Sequence, residues 1–120
     1  MPFSFLDGIR VLDLTRILSG PYCTMMLGDM GADIIKVENP KEGDDTRKWG
    51  PPFLNGVSTY YISINRNKKS FTLNLKHEKG KEILANLIRQ SDVVCENFRP
   101  GTLDKLGFPW EEIQRINPRT

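Results

Sequence analysis

A strand–helix–strand signature in residues 9–38 constrains this chain more than any other feature. Ile9-Arg10-Val11-Leu12-Asp13-Leu14 alternates apolar and polar side chains and is rich in aliphatic residues at its centre, so it reads as a strand. Thr15 to Gly20 reads as a loop. Ser19-Gly20-Pro21 then looks like a helix start, with a small capping residue and a proline near the first helical position, where its missing N–H does no harm. The helix carries Tyr22, Met25, Met26 and Met30, and Gly31 suits its C-terminal end. Asp33 to Glu38 is a second strand. Two strands joined through a helix are parallel and take a right-handed crossover.

The pattern repeats further on. Ser70 to Leu75 alternates as a strand, Glu78 to Gln90 places Ile83, Leu84, Leu87 and Ile88 at helical spacing, and Asp92 to Glu96 is another strand. Between the two units, residues 39–58 read as a long loop with Pro40, Gly43, Gly50, Pro51, Pro52 and Gly56 and no apolar period. Ser58 to Ile64 fits helix or strand. Asn65 to Lys69 reads as a basic turn. Leu103 to Leu106 is a short helical turn. Pro109 to Ile116 reads as a helix with Trp110, Ile113 and Ile116 inward, stopped before Pro118. The expected fold is α/β: an open, mostly parallel sheet with helices on both faces. That sheet is expected to be incomplete, because the last helix would feed a further strand, which marks the front part of a larger protein.

Composition narrows the class. The 120 residues carry 17 Lys plus Arg against 15 Asp plus Glu, a net charge of +2 that is too balanced for a dedicated nucleic-acid binder. No apolar run approaches the ~20 residues of a membrane span. Met1 to Asp7 has neither the charged nor the apolar region of a signal peptide. The two cysteines, Cys23 and Cys95, are too few and too far apart for a disulfide framework or a metal site, so a reduced, intracellular chain is expected.

Open parallel sheets bind ligands beyond the C-terminal ends of their strands. Those ends carry Thr15, Arg16, Leu18 and Ser19 after the first strand, Glu38 and Asn39 after the second, Leu75 and Lys76 after the third, and Glu96, Asn97, Phe98 and Arg99 after the fourth. Arg16, Lys76 and Arg99 together with a helix N-terminus at Pro21 favour an anionic ligand, most simply a phosphate. Glu38 stands where a dinucleotide-binding fold would keep its ribose acid, but the first turn is Ser-Gly-Pro rather than Gly-x-Gly-x-x-Gly, which argues against an NAD site. His77 is the only histidine and sits beside a helix start, a weak basis for a catalytic triad. Cys95 reads as a buried strand residue and Cys23 as a packed helix residue. Asp44 and Asp45 read as a solvated turn, Trp49 and Phe53 around Gly-Pro-Pro as a packed loop, and the basic run after Tyr60 and Tyr61 as a weak nucleic-acid signal.

Several runs carry a specific resemblance. They are Leu6 to Arg16, Ser19-Gly20-Pro21, Leu27 to Glu38, Gly43-Asp44-Asp45-Thr46-Arg47, Asn65 to Ser70 and Glu96-Asn97-Phe98-Arg99-Pro100-Gly101. Together they resemble the N-terminal part of the class III coenzyme A transferases, a family with formyl-CoA, carnitine-CoA and succinyl-CoA:glutarate members and with alpha-methylacyl-CoA racemase as a relative. The resemblance implies that residues 1–120 are a Rossmann-like part that binds coenzyme A without a glycine fingerprint. It carries over Arg16, Leu18, Ser19, Asn39, Leu73, Lys76, Asn97, Phe98, Lys105 and Leu106 as coenzyme A contacts, with Arg16, Lys76 and Lys105 facing phosphates and Leu73 and Phe98 facing apolar or aromatic parts. Asn39 replaces a basic residue of some members and Leu18 a polar one. The implied activity moves coenzyme A between an acyl-CoA and a carboxylic acid through an aspartyl-acyl anhydride. The family's aspartate lies beyond this chain, so no catalytic residue is expected within it and the chain alone is expected to be inactive. The alternatives are a racemase of the alpha-methylacyl-CoA type, or a non-catalytic coenzyme-A-binding module if the chain ends at Thr120. No metal, nucleic acid or membrane is implied. The implied assembly is an interlocked homodimer of the full-length protein, located in the cytoplasm, or in the mitochondrion if the source is eukaryotic.

Overall fold

The structure, a computed structural model, describes residues 4–120. Met1, Pro2 and Phe3, part of the stretch read for a signal peptide, lie outside the described residues. The chain opens with β1 (Arg10–Asp13), α1 (Ser19–Asp29) and β2 (Asp33–Glu38). A short hairpin of β3 (Phe53–Leu54) and β4 (Val57–Ser58) leads into α2 (Thr59–Ile64). β5 (Lys68–Thr72), α3 (Glu78–Arg89), β6 (Val93–Cys95), α4 (Thr102–Lys105) and α5 (Trp110–Ile116) complete it. The main sheet has the order β5-β2-β1-β6, and all of its pairings are parallel. β1 therefore lies inside, with Val11 opposite Ile34 on one side and Val93 on the other.

Alternation along β1 sends neighbouring residues to opposite faces. Leu12, Leu14 and Val37 face α3 and α5, where they pack with Leu84, Ile88, Phe108 and Ile113. Full burial of each large aliphatic side chain there contributes about 1.5–3 kcal/mol. Val11 and Ile34 face α1 and pack with Ala32 and Leu27. Helices thus cover both faces, as the alternating pattern implies. Among the described residues no helix is long and apolar enough to cross a membrane.

α1 ends as its sequence dictates. Gly31 takes a left-handed φ of 103°, the Gly31 N–H reaches the Gly28 carbonyl at 2.9 Å, and the Ala32 N–H reaches the Leu27 carbonyl at 3.1 Å. These are the two bonds of a Schellman cap, which a residue with a Cβ would strain.

Four sequence expectations need correction. Ser19 is the first helical residue of α1 rather than its cap; Leu18 holds the cap position and supplies no side-chain bond. The third strand of the main sheet starts at Lys68 and ends at Thr72, two to three residues earlier than the alternation of Ser70–Leu75 suggests, so the last two residues of the basic turn are strand. Residues 39–58 are not a structureless loop: they hold a 3-10 turn at Asp45–Lys48 and the β3–β4 hairpin, with cis peptides at Gly50-Pro51 and Pro51-Pro52. Trp110 points outward, while Ile113 of the same helix is buried.

Candidate functional site

The face that carries α1 turns from apolar to charged toward the C-terminal ends of its strands. Val11 is followed on that face by Asp13, and Ile34 by Lys36 and Glu38; all three charged side chains are buried. Buried charges persist only when paired and hydrogen-bonded. Asp13 accepts bonds from the Thr15 N–H at 2.9 Å, the Thr24 hydroxyl at 2.6 Å, the Lys68 ammonium at 3.1 Å and the Thr15 hydroxyl. Lys36 donates to Asp44 and to the Thr15 carbonyl, each at 2.9 Å. Asp44 also accepts the N–H and the hydroxyl of Thr46. The carboxylate at Asp44 is therefore no solvated turn residue: it is 1% exposed, while Asp45 beside it is exposed.

Glu38 closes β2 in a third cluster. Arg47 grips it with two bonds at 2.8 and 2.7 Å, the Asp44 N–H adds a bond at 2.8 Å, and Ser70 and Tyr61 add their hydroxyls. The Arg47 guanidinium also lies over the Tyr61 ring, 4.0 Å from its centre. The acid at the dinucleotide position is thus fully engaged within the chain, which strengthens the argument against an NAD site. Burial alone would push the Glu38 carboxyl up, but the bonds from Arg47, Ser70 and the Asp44 backbone bring it down to about 2 from an ordinary 4.5.

A depressed carboxylate stabilises the fold above its unfolded pKa and ceases to do so as the pH falls toward its folded one. Glu38 accordingly contributes about 3 kcal/mol above pH 4.5, lost progressively as the pH approaches 2. Urea midpoints of the wild type and of Glu38→Gln, compared at about pH 6 and about pH 3, check this. The wild type should lose more stability than the variant on acidification, and equal losses would disprove the assignment.

Above these clusters the chain turns over β1 and enters α1. Arg16, Ile17, Leu18 and Ser19 line a cavity of about 330 Å³ together with Asn97, which follows β6. The strand order places this cavity at the switch point, where the connection from β1 runs toward β2 and the chain after β6 leaves on the other side. Asn97 clasps the Arg16 backbone, accepting its N–H at 2.9 Å and donating to its carbonyl at 2.7 Å. The Arg16 guanidinium carbon lies 5.9 Å from the centre of the Phe98 ring. The N-terminus of α1 carries no acidic residue and no side-chain cap, so its backbone dipole faces the cavity unopposed. Arg16 and this terminus suit an anion.

The cavity thus brings together Arg16, Leu18, Ser19 and Asn97, with Phe98 alongside. Other residues named from the sequence stand elsewhere. Asn39 is exposed and its side chain accepts the Lys41 N–H at 2.8 Å. Leu73 is turned into the core. Lys76 is exposed on the β5–α3 connection, its N–H bonded to Asn74. Lys105 is exposed at the end of α4, and Leu106 lines a separate groove against α3 and α5. Arg99 and Glu96 line another cavity, along β6, with Phe108 and Trp110. His77 caps α3, its Nδ1 accepting the Lys79 N–H at 3.2 Å. Burial pushes the Cys95 thiol up to about 11, far from a nucleophile's range. Cys23 is exposed on α1 rather than packed. The sequence reading missed Ile17, whose left-handed φ of 76° no local motif announces, and the buried partners Lys36 and Asp44.

Comparison with known proteins agrees with this architecture. Residues 6–120 match CoA-transferase family III. The chain is 54% identical over 113 residues to the succinyl-CoA:glutarate CoA-transferase of Mus musculus, covering 94% of this chain and 26% of that protein. It is also 54% identical over 114 residues to the formyl-CoA:oxalate CoA-transferase of Rhodopseudomonas palustris strain BisA53, covering 95% of this chain and 27% of that protein. A CAIB/BAIF family protein from Brucella suis superimposes with a TM-score of 0.90 at 47% identity, over 96% of this chain and 31% of that one. A hypothetical protein from Mycobacterium tuberculosis gives a TM-score of 0.86 at 43% identity, over 95% of this chain and 31% of that one. The chain spans less than a third of the length of these proteins, and its sequence and fold agree along nearly all of it: it belongs to CoA-transferase family III.

Proposed function

We propose that residues 1–120 form the N-terminal, coenzyme-A-receiving part of a transferase that moves coenzyme A between carboxylic acids. One observation carries this reading: in a chain of CoA-transferase family III, the cavity at the sheet's switch point pairs Arg16 with the uncapped N-terminus of α1. Coenzyme A brings phosphates for such a site, and Phe98 beside Arg16 offers a flat apolar surface to its remaining parts. Lys76 and Lys105, both exposed, serve as further phosphate partners in this reading, and Asn39, also exposed, as a further contact.

The chemistry is nucleophilic. An aspartate beyond this chain attacks the thioester carbonyl of an acyl-CoA, the carbon–sulfur bond breaks, coenzyme A leaves as the thiolate, and an aspartyl-acyl anhydride remains. Residues 1–120 hold the coenzyme during that step. They contain no nucleophile of their own and are inactive alone. The full-length protein acts as an interlocked homodimer in the cytoplasm, or in the mitochondrion of a eukaryote.

Calorimetric titration of the full-length protein with coenzyme A and with NAD tests the site. Coenzyme A should bind and NAD should not. Arg16→Ala should weaken coenzyme A binding about tenfold to a hundredfold, the worth of one charge-assisted contact. Equal affinity for the two nucleotides, or an unchanged affinity in Arg16→Ala, would overturn the proposal.

A further inference from the structure

The loop that follows β1 is held by side chains from three other places in the chain. Asn97 takes both polar groups of the Arg16 backbone. Lys36, from β2, donates to the Thr15 carbonyl at 2.9 Å. Asp44, which follows β2 by six residues, receives the Ile17 N–H on its carboxylate, at 3.3 Å to each oxygen. Lys36 and Asp44 are bonded to each other at 2.9 Å, with side chains 1% and 0% exposed. The residue they flank is the strained one. Ile17 is β-branched and sits in the left-handed region, with φ of 76°, a conformation that persists only where surrounding contacts enforce it.

We infer that the buried Lys36–Asp44 pair is a positioning device for the ligand loop, holding Thr15 and Ile17 so that Arg16 and the start of α1 face the cavity. The inference rests on the reading of that cavity as the coenzyme A site. Neither side chain lines the cavity, and both act through the backbone they hold. A pair kept only for the core would have no need to spend a buried carboxylate on the one β-branched residue with positive φ. The sheet ladder stands without the pair, and the other task of the Asp44 carboxylate, capping the 3-10 turn at Asp45–Lys48 through Thr46, calls for neither Lys36 nor Ile17.

Two variants of the full-length protein separate positioning from stability. Asp44→Leu removes the acceptor for Ile17 and leaves Lys36 buried and unpaired, so it should lower both stability and affinity for coenzyme A. Lys36→Met combined with Asp44→Leu removes both charges, which relieves the uncompensated ammonium and returns much of the lost stability. The double variant still lacks both contacts to the loop. Its affinity for coenzyme A should stay about tenfold or more below wild type, and amide exchange at Ile17 should stay faster by a similar factor. Recovery of affinity and of Ile17 protection together with thermal stability would overturn the inference, since the pair would then be structural only. If wild type itself fails to bind coenzyme A, the reading of the cavity falls. Ile17 exchange in the double variant then decides the inference alone: fast exchange upholds the clamp, and protection as in wild type defeats it.

Discussion

Replacing Asp13 by alanine should remove about 3–5 kcal/mol of stability, the cost of leaving a buried charge without its partner. The Lys68 side chain is 2% exposed and Asp13 is fully enclosed. Burial pushes the Lys68 ammonium below the ordinary lysine range, and the Asp13 carboxylate pushes it back. Without Asp13, Lys68 keeps only the Pro21 carbonyl at 2.8 Å and the Asn65 side chain at 3.0 Å. Thr15 and Thr24 lose an acceptor at the same time. Asp33→Ala is the natural control. Asp33 pairs with Arg10 and Lys69 on the surface, where ion pairs are worth about 0–1 kcal/mol. Equilibrium unfolding in urea compares the two directly. Equal losses would show that water reaches the Asp13–Lys68 pair.

Gly80→Ala should destabilise the protein by about 1–3 kcal/mol, although alanine in place of glycine inside a helix ordinarily gains about 1 kcal/mol. Gly80 lies in the first turn of α3, above the tight turn that precedes it. A Cβ there would fall 1.9 Å from the Asn74 carbonyl oxygen and 2.8 Å from its carbon. Those are backbone atoms, and the same carbonyl already accepts the His77 N–H at 3.2 Å. The clash cannot be relieved by rotating a side chain. Either α3 lifts from the sheet, where Leu84 and Ile88 are packed, or the turn opens. A raised urea midpoint in Gly80→Ala would mean that the β5–α3 turn moves freely and that helix propensity decides the outcome.

Much of the architecture was legible because it rests on period and punctuation. β2 lies at Asp33–Glu38, where the sequence places the second strand, and Gly31 stops α1 where a left-handed residue is needed. The elements that escaped detection break the usual link between charge and solvent. Lys68 looked like part of a basic turn, yet it begins a strand because Asp13 receives its ammonium beneath α1. Lys36 stood inside the second strand with nothing to mark it as buried, and Asp44 read as a solvated turn. Their complementary charges meet only once the fold brings them together, and local pattern carries no trace of a partner eight residues away. The β3–β4 hairpin was hidden for another reason: strands of two residues are too short for any period. At the candidate site, the sequence placed contacts at the C-terminal ends of the strands and named Arg16, Leu18, Ser19 and Asn97, which line the cavity there. Ile17 was missed because its conformation is imposed from outside by Asp44 and belongs to no turn type that residue identity announces.

The order of the strands also sets a schedule for synthesis. Of the strands described, β1 is made first but pairs on one side with β6, and the Arg10 N–H bonds to an Asp92 carboxylate separated from it by 82 positions in the chain. The Arg16 backbone waits equally long for Asn97. Neighbours so distant in sequence make a slow topology, because loop closure must precede the contacts that reward it. A nascent chain released only as far as β5 has β1 open along one side and the loop after it unclasped. Within the described residues, the loop after β1 is made early and completed late.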